Sequence, residues 1–141
     1  MFEIDGLDEL IDTMDIVSRE YPKEIKKFMN SEGNKLKNRV LKSARSRVNK
    51  VTGNYLKGIV RGKYYKYREN DADSIRVYAK RPGANHAHLI EYGHKIVSKS
   101  GNDTGGYVPG HLVFKAAADS FDGDYERDCD KFTDKIIDKL T

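Results

Sequence analysis

From Pro22 to Lys50 the chain repeats apolar residues at the 3-and-4 spacing of one helix face: Ile25, Phe28, Met29, Leu36, Val40, Ala44 and Val48. Pro22 suits the first turn of such a helix, where its missing N–H has no partner to lose. Read straight through, the helix is roughly 40 Å long at 1.5 Å per residue. Gly33 is the one weak point at which it could bend. A rod of that length dictates the architecture, because the rest of a 141-residue chain must cover its stripe. The opposite face carries Lys26, Lys27, Lys35, Lys37, Arg39, Lys42, Arg45 and Arg47. It is either a solvated face or a surface for an anionic partner.

On the N-terminal side, residues 1–5 alternate apolar and acidic as a short edge strand would, and Gly6 breaks them. Leu7, Leu10, Ile11, Met14 and Val17 then mark a short helix to about Glu20, with acids in its first turns, where the helix dipole favours them. After the long helix, Tyr55 to Gly62 alternate as a strand weakened by two glycines. Lys63 to Arg68 interleave tyrosines with bases, Glu69–Asp73 read as a turn, and Ser74–Lys80 alternate clearly. The pair around the turn forms an antiparallel hairpin.

His86-Ala-His-Leu-Ile-Glu-Tyr-Gly93 follows the turn at Arg81-Pro82-Gly83. Both parities of this run are apolar, so it is either a strand buried on two faces or a short helix inserted between strands. Glu91 inside it needs a partner, since an unpaired buried carboxylate is costly, and Lys57, Arg61 or Arg76 would suit. Residues 94–107 form a flexible polar loop. His111–Phe121 are helical, Gly123 ends or kinks that helix, and Tyr125, Cys129, Phe132, Ile136, Ile137 and Leu140 line a last one. The expectation is an α+β fold in one domain: an N-terminal segment (1–21), a long basic helix (22–50), a small antiparallel sheet (54–93), a loop (94–107) and C-terminal helices (108–141).

A mean hydropathy of −0.75 with 34% charged residues leaves a small core, or one completed by partner subunits. The single cysteine, Cys129, excludes an internal disulfide and sits on an apolar helical face as a core residue. The acidic N-terminus lacks a basic-then-apolar export pattern, and no apolar run is long enough to span a membrane. The net charge of +4 hides segregation. Residues 1–22 hold seven acids against one base, residues 23–68 fifteen bases against two acids, and residues 119–141 eight acids against four bases. A basic middle between acidic ends either contacts nucleic acid or meets acidic segments of neighbouring subunits head to tail.

His86, His88, His94 and His111 match no metal-ligand spacing with cysteine or carboxylate partners. Phosphate-binding glycine motifs and a nucleophile elbow are absent. Neither an enzyme nor a cofactor is expected. Tyr64, Tyr65 and Tyr67 beside Lys63 and Lys66 read as a half-exposed sheet face, with base stacking on a nucleic acid as the alternative.

Three segments combine in order. Thr52-Gly53-Asn-Tyr-Leu56-Lys-Gly-Ile59 follows the basic helix, His88-Leu-Ile90-Glu91-Tyr92-Gly93-His94 follows a strand, and Val108-Pro109-Gly110-His-Leu-Val-Phe114-Lys-Ala-Ala117 follows a glycine-rich loop. Over roughly residues 20–122 this order resembles the head–tail joining or tail-completion (neck) proteins of long-tailed bacteriophages and prophages, similar to the minor tail protein Z group. Gly58, His94 and Ala116 depart from that family's usual serine, threonine and proline. The resemblance implies a virion structural protein of the neck or tail end, assembled in the bacterial host cytoplasm as a homo-oligomeric ring among other head and tail proteins. Lys35, Arg39, Lys42, Arg45, Arg47, Lys63 and Lys66 are the candidate assembly or DNA-facing residues, with acidic Asp8, Asp12 and Asp15 as their complement on a neighbour. A basic lumen would tolerate passing DNA through phosphate contacts alone. The alternative function is sequence-independent nucleic-acid binding by the basic helix and the Tyr/Lys-rich strand.

Overall fold

A computed structural model describes residues 16–48, 53–80 and 86–140. Two long helices form its frame: α1 (Pro22–Arg47) and α4 (Val113–Leu140). They lie antiparallel. Phe28 stacks on Phe132 with ring centroids 4.4 Å apart at one end, and Ser43 Oγ donates to the Val113 carbonyl at 2.8 Å near the other. Ile25, Met29, Val40 and Ala44 turn inward from α1, and Val113, Ala117, Phe121, Cys129 and Ile136 from α4. Both sets follow helical spacing, so each helix buries one stripe against the other. Residues 16–20 are helical too and bury Val17, while the edge strand and most of the short helix expected before them lie outside the described residues.

Between the long helices the chain makes α2 (Gly53–Gly58), β1 (Ile59–Arg61), β2 (Tyr65–Lys66), β3 (Asp73–Ser74), β4 (Val77–Ala79), α3 (Ala87–Tyr92), β5 (Gly93–Val97) and β6 (Asp103–Pro109). The fold is α+β. The expected hairpin is present: β1 pairs with β4 (Ile59 opposite Ala79) and β2 with β3 (Tyr65 opposite Ser74), all antiparallel. The register slips by one residue between the two halves. This hairpin lies against α1 at Gly33. A Cβ there would come within 2.8 Å of Ile75 Cδ1 and 2.9 Å of Arg61 Cδ. Gly33 is therefore a site of close approach, and α1 runs through it unbroken.

Three expectations change and one open alternative is decided. Residues 53–58 are helical, because Tyr55, Gly58 and Ile59 are buried while Lys57 is exposed, a 3-and-4 pattern that the alternating reading obscured. His86–Gly93 takes the second of its two readings: α3 points Ala87 and Ile90 at the core and buries Glu91, so both parities needed to be apolar or shielded. Residues 94–107 are not a loop but most of a β-hairpin, β5 paired with β6 from Gly93–Pro109 to Val97–Asp103, with an irregularity between Ile96 and Val97. Gly101, at φ 87°, makes the turn. Finally, Gly123 does not end the helix, and α4 runs on through it. An exposed mid-helix glycine costs about 1 kcal/mol, and the apolar packing of Phe121 on one side and Cys129 and Ile136 on the other outweighs it.

Val40, Ala44, Tyr55, Ile59, Val113 and Ala117 form the buried centre, with Leu56, Ile90 and Phe114 packed around it. It draws on every major segment except the β5–β6 arm.

Candidate functional site

The three motif segments meet at the start of α4. The first amides of a helix lack intrahelical acceptors, and here a remote side chain supplies them. Glu91 Oε2 accepts from the Phe114 N–H at 2.9 Å and Oε1 from the Lys115 N–H at 3.0 Å. Glu91 is 6% exposed, so a carboxylate from α3 serves as the N-cap of α4 and also meets the positive end of its dipole. The expected partners Lys57, Arg61 and Arg76 are not used. Backbone donors of Phe114 and Lys115 replace them.

Two glycines permit this approach. A Cβ on Gly110 would sit 2.2 Å from the Glu91 carbonyl oxygen, and one on Gly93, at φ 85°, would sit 2.2 Å from the Val108 carbonyl oxygen. The 107–111 segment is stitched to α3 by His111 N–H to the Ile90 carbonyl at 2.7 Å and Tyr107 Oη to the Tyr92 carbonyl at 2.5 Å. Tyr55 is buried here too. Burial, with the Glu91 charge as the second cause, pushes its phenol up to about 12. Ile59 and Ala117 are buried, Leu56, Ile90 and Phe114 half-buried, Gly53, His88 and Pro109 exposed, and Tyr92 is 71% exposed. Thr52 lies outside the described residues. Most motif positions thus build one joint and its core wall.

The basic positions divide. Lys35 Nζ lies 2.7 Å from Asp128 Oδ2, and Arg39 pairs with Asp124 and donates to the Ser120 carbonyl at 2.8 Å. Lys66 Nζ lies 2.7 Å from Asp73 Oδ1. The acidic C-terminal helix therefore neutralises part of the basic helix within one chain, where the sequence pointed to a neighbour's acids. Asp8, Asp12 and Asp15 lie outside the described residues. Among the described residues, Lys42, Arg45, Arg47 and Lys63 form no ion pair. Lys42 lines a cleft of about 510 Å³ between α1 and α4, together with Lys35, Arg39, Arg127 and Lys131 and the acids Asp124 and Asp128.

The β5–β6 arm is the region that sequence reasoning missed. It is a two-stranded ribbon whose residues are exposed on both faces apart from Gly93 and Gly106. Val97 is 59% and Tyr107 58% exposed, with Ile96 and Val108 also exposed. Its apolar signal is short, two runs (Lys95-Ile-Val97 and Tyr107-Val-Pro109) split by a polar, glycine-rich turn.

Glu32 was also missed, hidden among lysines. It is 3% exposed and faces Asp128 across the α1–α4 contact, with Oε1 3.5 Å from Lys35 Nζ. Oε2 accepts no hydrogen bond from any described donor. Burial first, and Asp128 second, push its carboxyl up to about 7. The hydrogen bond from Lys35 holds Asp128 below its ordinary value. A hydrogen bond between the two carboxyls exists only while Glu32 keeps a proton. Burial likewise raises the Cys129 thiol to about 11. Among the described residues no group of three His, Cys, Asp or Glu side chains could hold a metal ion, and no helix is long and apolar enough to cross a membrane.

A family model described as "Bacteriophage HK97-gp10, putative tail-component" matches residues 8–93. No curated protein and no solved structure matches the chain. The matched span runs through α1, the 59–79 hairpin and α3, and stops at Gly93, where the arm begins.

Proposed function

The chain belongs to the HK97-gp10-like family of bacteriophage tail components, and from that premise we propose that it acts in tail completion or head–tail joining at the neck, by assembling into a ring. The observation that carries this reading is the β5–β6 arm. An isolated two-stranded ribbon is marginal in water unless something covers it. This one projects from the joint at Gly93 and Gly110 with apolar side chains exposed and both outer edges unpaired among the described residues. Free strand edges and exposed apolar side chains are what an assembly subunit holds in reserve for its neighbours. A contact between an arm and a different surface of the next copy is heterologous, and a heterologous contact generates a ring when the rotation between copies closes. The neighbours in the virion are further copies and other head and tail proteins, placed there from the host cytoplasm.

Light scattering behind a sizing column, across concentration, tests the ring. The unaltered protein is expected as a discrete oligomer. The double variant Ile96→Asp/Val97→Asp is expected as a monomer with an unchanged circular dichroism spectrum. Assembly of the double variant to the same size would remove the arm from the interface.

A second reading rests on Lys42, Arg45, Arg47 and Lys63, those of the candidate basic positions that form no ion pair among the described residues. It has them touch the phosphates of passing DNA. Binding to duplex DNA with a steep salt dependence, weakened by Lys42→Glu/Arg45→Glu, is its expected signature; no binding at low salt would remove it.

A further inference from the structure

Arg61 and Ile75 of the 59–79 hairpin lie against Gly33 of α1. Their strand neighbours Gly62 and Arg76 take the opposite face, and the Gly62 N–H donates to the Arg76 carbonyl at 2.8 Å. The register slips at this point, between the β1–β4 and β2–β3 pairs. An open hollow of about 330 Å³ is lined there by Gly62, Lys63, Tyr65, Arg76 and Tyr78. We propose that this hollow binds single-stranded nucleic acid, taking a base against its tyrosines and the adjoining phosphate on Lys63 and Arg76.

The Tyr/Lys-rich run of residues 63–68 does not act as one group. Tyr64 donates to Asp73 and Lys66 Nζ lies 2.7 Å from Asp73 Oδ1, so both are committed to the fold. Lys63 and Tyr65 remain, and Arg76 and Tyr78 join them from across the hairpin. The charged lining is wholly cationic, and neither Lys63 nor Arg76 forms an ion pair among the described residues. Both are exposed, as is Tyr65. The guanidinium carbon of Arg76 lies 4.4 Å from the centroid of the Tyr78 ring, a cation–π contact that holds the arginine at the wall. An arginine so held keeps N–H donors for a phosphate and offers a flat surface to a base. Gly62 leaves the room. A Cβ there would lie 3.4 Å from Tyr78 Cε1 and 3.5 Å from Arg76 Cγ, so a larger side chain would enter the hollow.

The lining selects the ligand. Two cations with no acid between them call for an anion. Two tyrosine rings add flat apolar surface, which a carboxylate or an inorganic phosphate does not use. A nucleotide supplies both halves, a ring to stack and a phosphate beside it. In a duplex the base faces are already stacked on their neighbours, so an unpaired strand is what offers them. Binding is then independent of sequence, since every base has a π face. The site rests neither on the ring nor on the duplex contacts of Lys42, Arg45 and Arg47, and shares only Lys63 with the duplex reading.

The probe is a short fluorescein-labelled oligodeoxythymidylate, titrated with the whole protein at low salt and followed by fluorescence anisotropy. Saturable binding is expected. Tyr65→Ala should weaken it about tenfold, the worth of one stacked base. Arg76→Gln should lower the slope of log affinity against log salt by about 0.7, the counterion release of one phosphate contact on a single strand. Gly62→Val should weaken binding as much as Tyr65→Ala does, with every cation still in place. Tyr65 is exposed, so its variant tests the site whether or not Gly62→Val folds. Unlabelled duplex of the same length and polyglutamate should both compete poorly. No saturable binding, undiminished binding by Tyr65→Ala, an unchanged salt slope in Arg76→Gln, or competition by duplex or polyglutamate equal to that of the unlabelled single strand would each overturn the proposal. Duplex binding can fail while single-strand binding holds, so this proposal and the duplex reading fall separately.

Discussion

The molecule buries two glutamates to nearly the same depth and treats them in opposite ways. Glu91, 6% exposed, receives two backbone N–H groups at the start of α4. Glu32, 3% exposed, leaves Oε2 without a described donor and faces a second carboxylate. The lesson is that donors, not depth, decide what a buried acid does. A helix N-terminus solvates Glu91 as water would, and the charge becomes a fastener between the middle of the chain and its last helix. Glu32 lacks that replacement and keeps its proton to about neutral pH. One acid is fastened by amides, and the other is held protonated against a second carboxylate.

The largest break in this comparison comes from Glu91→Ala. It removes a cap and strands two part-buried amides, and should cost about 3 kcal/mol of unfolding free energy, read by urea titration. Gly110→Ala leaves Glu91 in place but drives a Cβ into its carbonyl, 2.2 Å away. The joint must open, at about 2 kcal/mol by the same measurement. Glu32→Gln should act with the opposite sign. A carboxyl raised from 4.5 to about 7 binds its proton more tightly in the folded protein, so its contribution is favourable below pH 4.5 and is lost as pH rises to about 7. The glutamine variant should match the unaltered protein at pH 4 and exceed it at pH 8 by about 1–2 kcal/mol, less than the full shift implies because Asp128 moves down as Glu32 moves up. Val97→Asp, on the arm, should change monomer stability by no more than about 0.5 kcal/mol while reducing self-association.

Much of this was legible in the sequence where periodicity and burial coincide. The α1 stripe from Ile25 to Ala44 reads directly as a helix face, and the hairpin around Glu69–Asp73 follows from alternation and turn residues. The joint was legible as three runs but not as a mechanism. Nothing local to Glu91 reveals that its partners are amides of residues 114 and 115. Glu32 was hidden for the same reason, since its environment is built by α4 and the hairpin. The arm was missed because its strands are exposed on both faces and so carry no inside–outside alternation. The basic helix looked unneutralised because Asp124 and Asp128 are far from Arg39 and Lys35 in sequence and adjacent only in the folded chain.

The most direct test of the joint is amide hydrogen exchange at Phe114 and Lys115, in the unaltered protein and in Glu91→Ala. Both amides belong to the first turn of α4, where exchange is ordinarily fast because no intrahelical acceptor exists. If Glu91 caps the helix, both are protected to the level of the α4 interior and lose that protection in the variant. Fast exchange in the unaltered protein, or equal protection in both, would contradict the account.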